Sequence, residues 1–267
     1  PFCLKKAVRR ALQSRALRGK CPAESRAKNV SSIYTKIRTE NEMGKLIVIE
    51  GLDASGKQTQ TELLCKTLED KGKEIKKISF PCYDSPSSAL VKMYLGGAFG
   101  THADDVNAFA ASSFYAVDRY ASYKSDWGKF YEDGGIVIAD RYTTSNMIHQ
   151  GGKIADEKER NDYLKWLYDY EFSYLGLPKP DLVIFLEMPP EFSEDLMRGR
   201  ENKITGGGEK DIHEKDKNHL KKSYESALYA AQKFGWTRVY CIKNNALRTI
   251  EDIHAEILSL AEKEIAK

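Results

Sequence analysis

From Met43 onward, short unbroken apolar runs alternate with longer stretches in which apolar side chains recur every three or four positions. The runs at 46–50 (LIVIE), 74–80, 136–139 (IVIA), 182–186 (LVIFL) and 238–242 predict five strands covered on both faces, because a strand with one wet face would alternate. The stretches 59–70, 104–131, 157–174, 191–197, 216–234 and 249–264 predict helices. Short β runs separated by long α runs imply successive βα units wound around one parallel sheet, an α/β domain of three layers with helices on both faces. The segment 199–213 has three consecutive glycines and dense charge without periodicity, and predicts a mobile loop.

Composition narrows the class. At 267 residues, 41% hydrophobic and 30% charged, the chain can bury one sizeable core. The cysteines Cys3, Cys21, Cys65, Cys82 and Cys241 are scattered, with no CxxC or Cys/His spacing, so neither a disulfide framework nor a zinc site is indicated. A reducing cytoplasm fits. No apolar run approaches the roughly 20 residues that span a bilayer, so no membrane partner is expected. The net charge of +3 is unevenly spread. Lys5, Lys6, Arg9, Arg10, Arg15, Arg18, Lys20, Arg26, Lys28, Lys36 and Arg38 face only Glu24, Glu40 and Glu42 before Met43. Residues 1–42 therefore read as a basic extension outside the fold, and 43–267 as the domain. An acid-poor, Arg-rich start fits an appendage, an organelle transit peptide or a basic arm; for the domain itself no nucleic-acid partner is expected.

Directly after LIVIE stands Gly51-Leu52-Asp53-Ala54-Ser55-Gly56-Lys57, with Gln58 and Thr59 opening the next helix. The spacing G-x-x-x-x-G-K between a strand and a helix is that of a phosphate-binding loop. Its glycines let consecutive backbone N–H groups curl toward phosphate oxygens, the helix N-terminus adds its positive end, and Lys57 supplies a cation. The hydroxyl that usually follows the lysine and binds Mg²⁺ is replaced by Gln58, which leaves metal ligation less secure than phosphate binding. A GTPase reading fails, since Asn202-Lys203-Ile204-Thr205 lacks the guanine-reading carboxylate. The run Ile136-Val137-Ile138-Ala139-Asp140 could end in a metal-binding acid, but Arg141 follows at once. A cation at the C-terminal edge of a strand can hold a second phosphate opposite the loop; a plain ion pair at a strand end is the alternative.

Taken in order, GLDASGKQTQ at 51–60, Phe80-Pro81-Cys82-Tyr83, Tyr115-Ala116-Val117-Asp118-Arg119, Asp140-Arg141-Tyr142 with Ser145-Asn146, Leu177-Pro178-Lys179-Pro180-Asp181 and Arg198-Gly199-Arg200 resemble the thymidylate kinases. The resemblance runs from Met43 to about the C-terminus. It implies the three-layer P-loop NTP hydrolase fold with a short lid at 198–213, and ATP-dependent phosphorylation of dTMP to dTDP with Mg²⁺. The implied catalytic set is Lys57, Asp53, Arg141, Arg198 and Arg200, with residues 51–59 (Gly51, Leu52, Asp53, Ala54, Ser55, Gly56, Lys57, Gln58, Thr59) around ATP. By the same resemblance, Asp53 bonds the acceptor 3′-hydroxyl and helps place Mg²⁺, Tyr115 stacks on thymine, and Arg119 reads the base oxygen. Arg141 and Tyr83 hold the acceptor phosphate, Asn146 contacts the base, Phe80 lines the pocket and Glu214 lies near the metal. In isolation Tyr115 and Phe80 would read as core aromatics and Arg119 as a solvated helix residue. A homodimer is also implied.

Three positions depart from the family pattern. Ala54 stands where one branch carries a catalytic arginine, so the lid arginines Arg198 and Arg200 take that role. Cys82 replaces an arginine near the acceptor phosphate, and His149 replaces a tyrosine near the sugar 2′ position. Two further readings stay open: a kinase for another nucleoside or nucleotide on this fold, and a nucleotide-binding protein without turnover.

Overall fold

The structure, a computed structural model, describes residues 43–197 and 217–267. The basic extension and the lid, with Arg198, Arg200 and Glu214, lie outside the described residues.

All five predicted strands form, as β1 (Lys45–Gly51), β2 (Ile75–Ser79), β3 (Ile136–Asp140), β4 (Leu182–Glu187) and β5 (Thr237–Tyr240). They are parallel and lie in the order β2-β3-β1-β4-β5. The first two helices are α1 (Lys57–Asp70) and the short α2 (Ala89–Leu95). Next, α3 (Ala108–Ser122) passes through a π-helical turn (Tyr123–Trp127) into α4 (Gly128–Glu132). The short α5 (Thr143–His149) follows β3, and α6 (Glu157–Tyr168) runs into a second π-helical turn (Asp169–Tyr174). The chain ends with α7 (Pro190–Met197), α8 (Lys217–Phe234), a hairpin of β6 (Ile242–Lys243) and β7 (Ala246–Leu247), and α9 (Ile250–Ile265).

Successive residues of β1 point to opposite faces, and both faces are dry. Ile47 and Ile49 pack with Leu64 and Leu68 of α1 and Ile253 and Ile257 of α9. Leu46 and Val48 pack on the other side with Val137, Ala139, Trp127 and Tyr142. A third cluster joins Leu52, Phe185, Met147 and Ile148 to Tyr163, Leu164 and Leu167 of α6 and Ala227, Ala230 and Ala231 of α8. Two-sided burial is the reason these strands read as unbroken apolar runs.

Some boundaries differ from expectation. The helix expected over 104–131 starts at Ala108, because the Asn107 side chain accepts the Ala110 N–H at 2.9 Å and caps it there. At the C-terminal helix, Thr249 is the cap rather than the first helical residue, accepting from the Asp252 N–H at 3.1 Å. The strand expected over 238–242 divides: the chain leaves the sheet after Tyr240, and Ile242 enters the hairpin, which turns on Asn244 (φ 52°) and Asn245 (φ 60°). Two left-handed central residues are what a tight two-residue hairpin turn requires, and asparagine tolerates them.

Candidate active site

The carboxyl ends of β1 and β3 lie side by side, with Ile49 in register with Asp140, and everything that follows those two strands converges there. After β1 the phosphate loop folds over its own strand, Ser55 N–H donating to the Leu52 carbonyl at 3.2 Å. Ala54 (φ 61°) and Gly56 (φ 86°) both adopt the left-handed conformation that turns neighbouring N–H groups to one side. At Gly51 any side chain is excluded: a Cβ would lie 2.5 Å from the Ser55 hydroxyl and 3.0 Å from the Leu186 carbonyl.

Lys57 opens α1 and is only 7% exposed; its ammonium donates to the Leu52 carbonyl at 2.6 Å. Burial, and then Arg141 nearby, push its pKa down to about 8 despite Asp53, Asp140 and Glu50. The unfolded chain keeps this proton up to the ordinary lysine range, so between about pH 8 and the unfolded pKa the unfolded state binds more protons and folding stability rises with pH. A phosphate at the loop favours the ammonium and reverses the shift. Phosphate oxygens no longer titrate above about pH 7, so ATP binding near pH 8.5 should take up a proton at Lys57. Titration calorimetry in buffers of different ionisation heat measures this, and binding heats independent of buffer between pH 8 and 9 would refute it.

Arg141 is the centre of the second half. It follows β3 with φ 68°, in the left-handed region that a bulky side chain enters only when its surroundings hold it there. Its fork donates to Asp53 Oδ1 at 2.5 Å and to Ser145 Oγ at 3.3 Å, and it lies 3.7 Å from Glu50 Oε1. Burial opposes its charge, but Asp53, Glu50 and Asp140 outweigh the loss, and Tyr83 is near enough to add to them. Glu50 is fully buried and accepts from the Gly51 N–H at 2.9 Å, Thr144 Oγ1 at 2.7 Å and Ser145 Oγ at 2.8 Å. It thereby ties the start of the phosphate loop to α5. Arg141 also donates from Nη1 to His149 Nε2 at 3.1 Å. Arginine cannot accept, so this contact places the His149 proton on Nδ1. Burial first, then Arg141, hold His149 well below the usual histidine range, which keeps it neutral. His149 also stacks on His219 of α8, ring centroids 5.8 Å apart.

Beside this cluster lies a second group of buried polar residues flanked by aromatic rings. Arg119, 1% exposed, is no solvated helix residue: Nε and Nη2 grip Glu171 at 2.7 and 2.5 Å. Asn146, from α5, is buried and donates to the Ser112 carbonyl at 3.2 Å. Tyr115 is half-buried and meets Tyr94 edge-on, centroids 6.5 Å apart. Phe80 is buried against Tyr142. Cys82 has its N–H bonded to Asp118 at 2.8 Å, and burial pushes its thiol up to about 11, so it stays protonated and unreactive.

The structure thus pairs Asp53 with Arg141, sets Lys57 close enough to feel both charges, and places Arg119 and Asn146 around a common carboxylate, while Phe80 sits in the core. Gln58 and Thr59 are exposed, and Gln58 donates to Glu62 at 3.2 Å rather than facing the loop. Glu50 and Glu171 were not singled out from the sequence. A charge closing the apolar run LIVIE is a signal for Glu50; Glu171 has none.

Mg²⁺ fits the donors present. Among the described residues no three ligating side chains cluster, which is unremarkable for a cation that takes one or two carboxylates and completes its shell with phosphates and water. Asp140 Oδ1 is buried with no hydrogen-bond partner at the end of β3, as an oxygen reserved for a hydrated cation would be.

Comparison with known proteins accords with this geometry. A thymidylate kinase family model matches residues 49–257. A probable thymidylate kinase of Thermococcus gammatolerans is 32% identical over 225 residues, 84% of this chain and 98% of that protein. The thymidylate kinase of Plasmodium falciparum is 29% identical, covering 85% of this chain and 92% of that one. The solved thymidylate kinase of Candida albicans superposes with a TM-score of 0.63 at 23% identity, over 83% of this chain and 92% of its own, which supports the fold. With a phosphate loop after β1, a strained arginine after β3 and a match spanning most of the domain, the chain belongs to the thymidylate kinase family.

Proposed function

We propose that this protein transfers the γ-phosphoryl group of ATP to the 5′-phosphate of dTMP, giving dTDP and ADP. The observation that carries the reading is Arg141: a guanidinium held in the left-handed conformation beside the phosphate loop, 2.5 Å from Asp53. It offers an acceptor phosphate a cation opposite the donor site, and the Arg119–Asn146 pocket lies beyond it for the base.

ATP lays its phosphates on the N–H groups of 51–57 and on Lys57. The acceptor phosphate displaces part of the Arg141–Asp53 contact, which frees Asp53 for the sugar hydroxyl or the cation. An acceptor phosphate oxygen attacks the γ-phosphorus while the bond to the β–γ bridging oxygen breaks and ADP leaves. The protein's share is in-line positioning and charge neutralisation by Lys57 and Arg141, with no nucleophile of its own. Mg²⁺, when bound, neutralises charge on the β- and γ-phosphates, and Asp53 and Asp140 are the described residues that would hold it. By the family resemblance, Arg198 and Arg200 would add further charge and Glu214 would act near the metal, while Tyr83 would contact the acceptor phosphate and Tyr115 would stack on the base, with Phe80 behind it.

A homodimer is part of the reading. Phe109, Val117 and Tyr120 on one side of α3, and Leu90 and Met93 on α2, are 38 to 47% exposed, more apolar surface than two packed helices need to present to water. Free thiols at Cys65, Cys82 and Cys241 suit the cytoplasm, or an organelle interior if residues 1–42 are a transit peptide. Among the described residues, no helix is long and apolar enough to cross a membrane.

The test is ADP formation by the full chain with ATP, Mg²⁺ and each nucleoside monophosphate in turn, in ribose and deoxyribose forms. We expect dTMP to lead, with light scattering on the same preparation giving a dimer. Comparable turnover of a cytosine or purine nucleotide would overturn the substrate, and a monomer at micromolar concentration the assembly.

A further inference from the structure

We infer that Glu171 is a positioning residue that sets base selectivity, by fixing the hydrogen-bonding polarity of both Arg119 and Asn146. The inference deepens the thymine-pocket reading above and rests on it.

Glu171 is fully buried and stands between the two residues that face the base. Its Oε2 accepts from Arg119 Nε at 2.7 Å and Thr143 Oγ1 at 2.6 Å; its Oε1 accepts from Arg119 Nη2 at 2.5 Å and Asn146 Nδ2 at 3.4 Å. Every contact it makes is an accepted one, as suits a carboxylate facing a guanidinium. Two consequences follow for its neighbours. Arg119 spends its Nε–H and one Nη2–H on Glu171, so the far end of the guanidinium, the second Nη2–H and Nη1 with its long 3.4 Å bond to the Tyr142 carbonyl, is left to donate to a ligand. Asn146 has its amide nitrogen directed at the Glu171 carboxylate and, at 3.2 Å, the Ser112 carbonyl. Neither of those groups can donate, so the amide cannot be flipped, and Asn146 Oδ1 is the face left to accept.

The pocket is therefore wired as a donor beside an acceptor. Thymine and uracil offer the complement, a carbonyl at position 4 and an N–H at position 3. Cytosine offers the reverse, an amino group and a bare ring nitrogen, and would set donor against donor and acceptor against acceptor. Mispairing of buried polar groups is where selectivity of this kind originates. Glu171 can reach both residues because it lies in the π-helical turn that follows α6, where the additional residue per turn rotates the side chain away from the 3.6-residue register.

The experiment compares kcat/KM for dTMP and dCMP in wild type, E171Q and E171D, with thermal melting of each. The glutamine of E171Q would aim an N–H at either Arg119 or Asn146. The aspartate of E171D keeps the counter-charge of Arg119, so it preserves the fold, but is one methylene too short to hold both partners. We expect the dTMP:dCMP ratio to fall about 10- to 100-fold in both variants, mainly through KM for dTMP. A folded E171D whose ratio stays within about threefold of wild type would overturn the inference, even if E171Q fails to fold. If wild type shows no preference for dTMP over dCMP, the thymine reading fails first, and Glu171 is then structural.

Discussion

Replacing Lys57 with methionine should lower turnover by at least about a thousandfold and leave the protein as stable as before or more so. The two halves of that result come from one fact. The Lys57 ammonium is buried at the N-terminus of α1 with the Leu52 carbonyl as its bonded partner at 2.6 Å, and its pKa is held down to about 8. An unliganded protein pays for that buried charge in stability, and methionine fills the same volume without it. During phosphoryl transfer the same ammonium sits against the phosphates, where a single well-placed cation is worth several orders of magnitude. Steady-state kinetics and a melting curve on one preparation test both halves. K57M activity within tenfold of wild type would mean that the 51–57 loop is not the donor site.

Arg141→Gly should abolish productive binding of the acceptor, lowering kcat/KM for the monophosphate by roughly 10³-fold, with much less effect on KM for ATP. Its stability cost should be small. Losing the guanidinium removes a charge partner from Asp53, Asp140 and Glu50, but Glu50, the fully buried one, keeps its bonds from the Gly51 N–H, Thr144 and Ser145. Against that loss, glycine adopts φ 68° freely where arginine does not, a gain of about 1 kcal/mol. Arg141→Ala separates the terms, since it removes the same charge but keeps the Cβ. R141G should be about 1 kcal/mol more stable than R141A in denaturant titration; equal stabilities would show that the left-handed backbone stores no strain.

Much of the fold could be read in advance for a physical reason: strands buried on both faces must be apolar throughout, so LIVIE, IVIA and LVIFL announce themselves without any knowledge of their neighbours. The phosphate loop was legible too, because its function lies in consecutive residues whose backbone does the binding. What escaped were elements too short to show a period, α2 and α5 at seven residues each. A cap such as Asn107 is a single side-chain contact that overrides helical composition.

The candidate site divides along the same line. Residue types and order alone indicated a phosphate-binding loop and an arginine after the third strand, and a family resemblance added Tyr115, Arg119 and Asn146 as the residues expected to face the base. Only the tertiary structure decided the state of those residues: that Lys57 loses much of its proton affinity, that His149 is neutral and accepts from Arg141, and that Arg119 is buried in the grip of Glu171. Charge state and hydrogen-bond polarity depend on what lies across a contact, and here the partners come from distant segments: Asp53 lies 88 residues from Arg141, and Arg119 lies 52 from Glu171. A sequence states which groups are available, and burial together with long-range contact determines which of them can donate, accept or hold a charge.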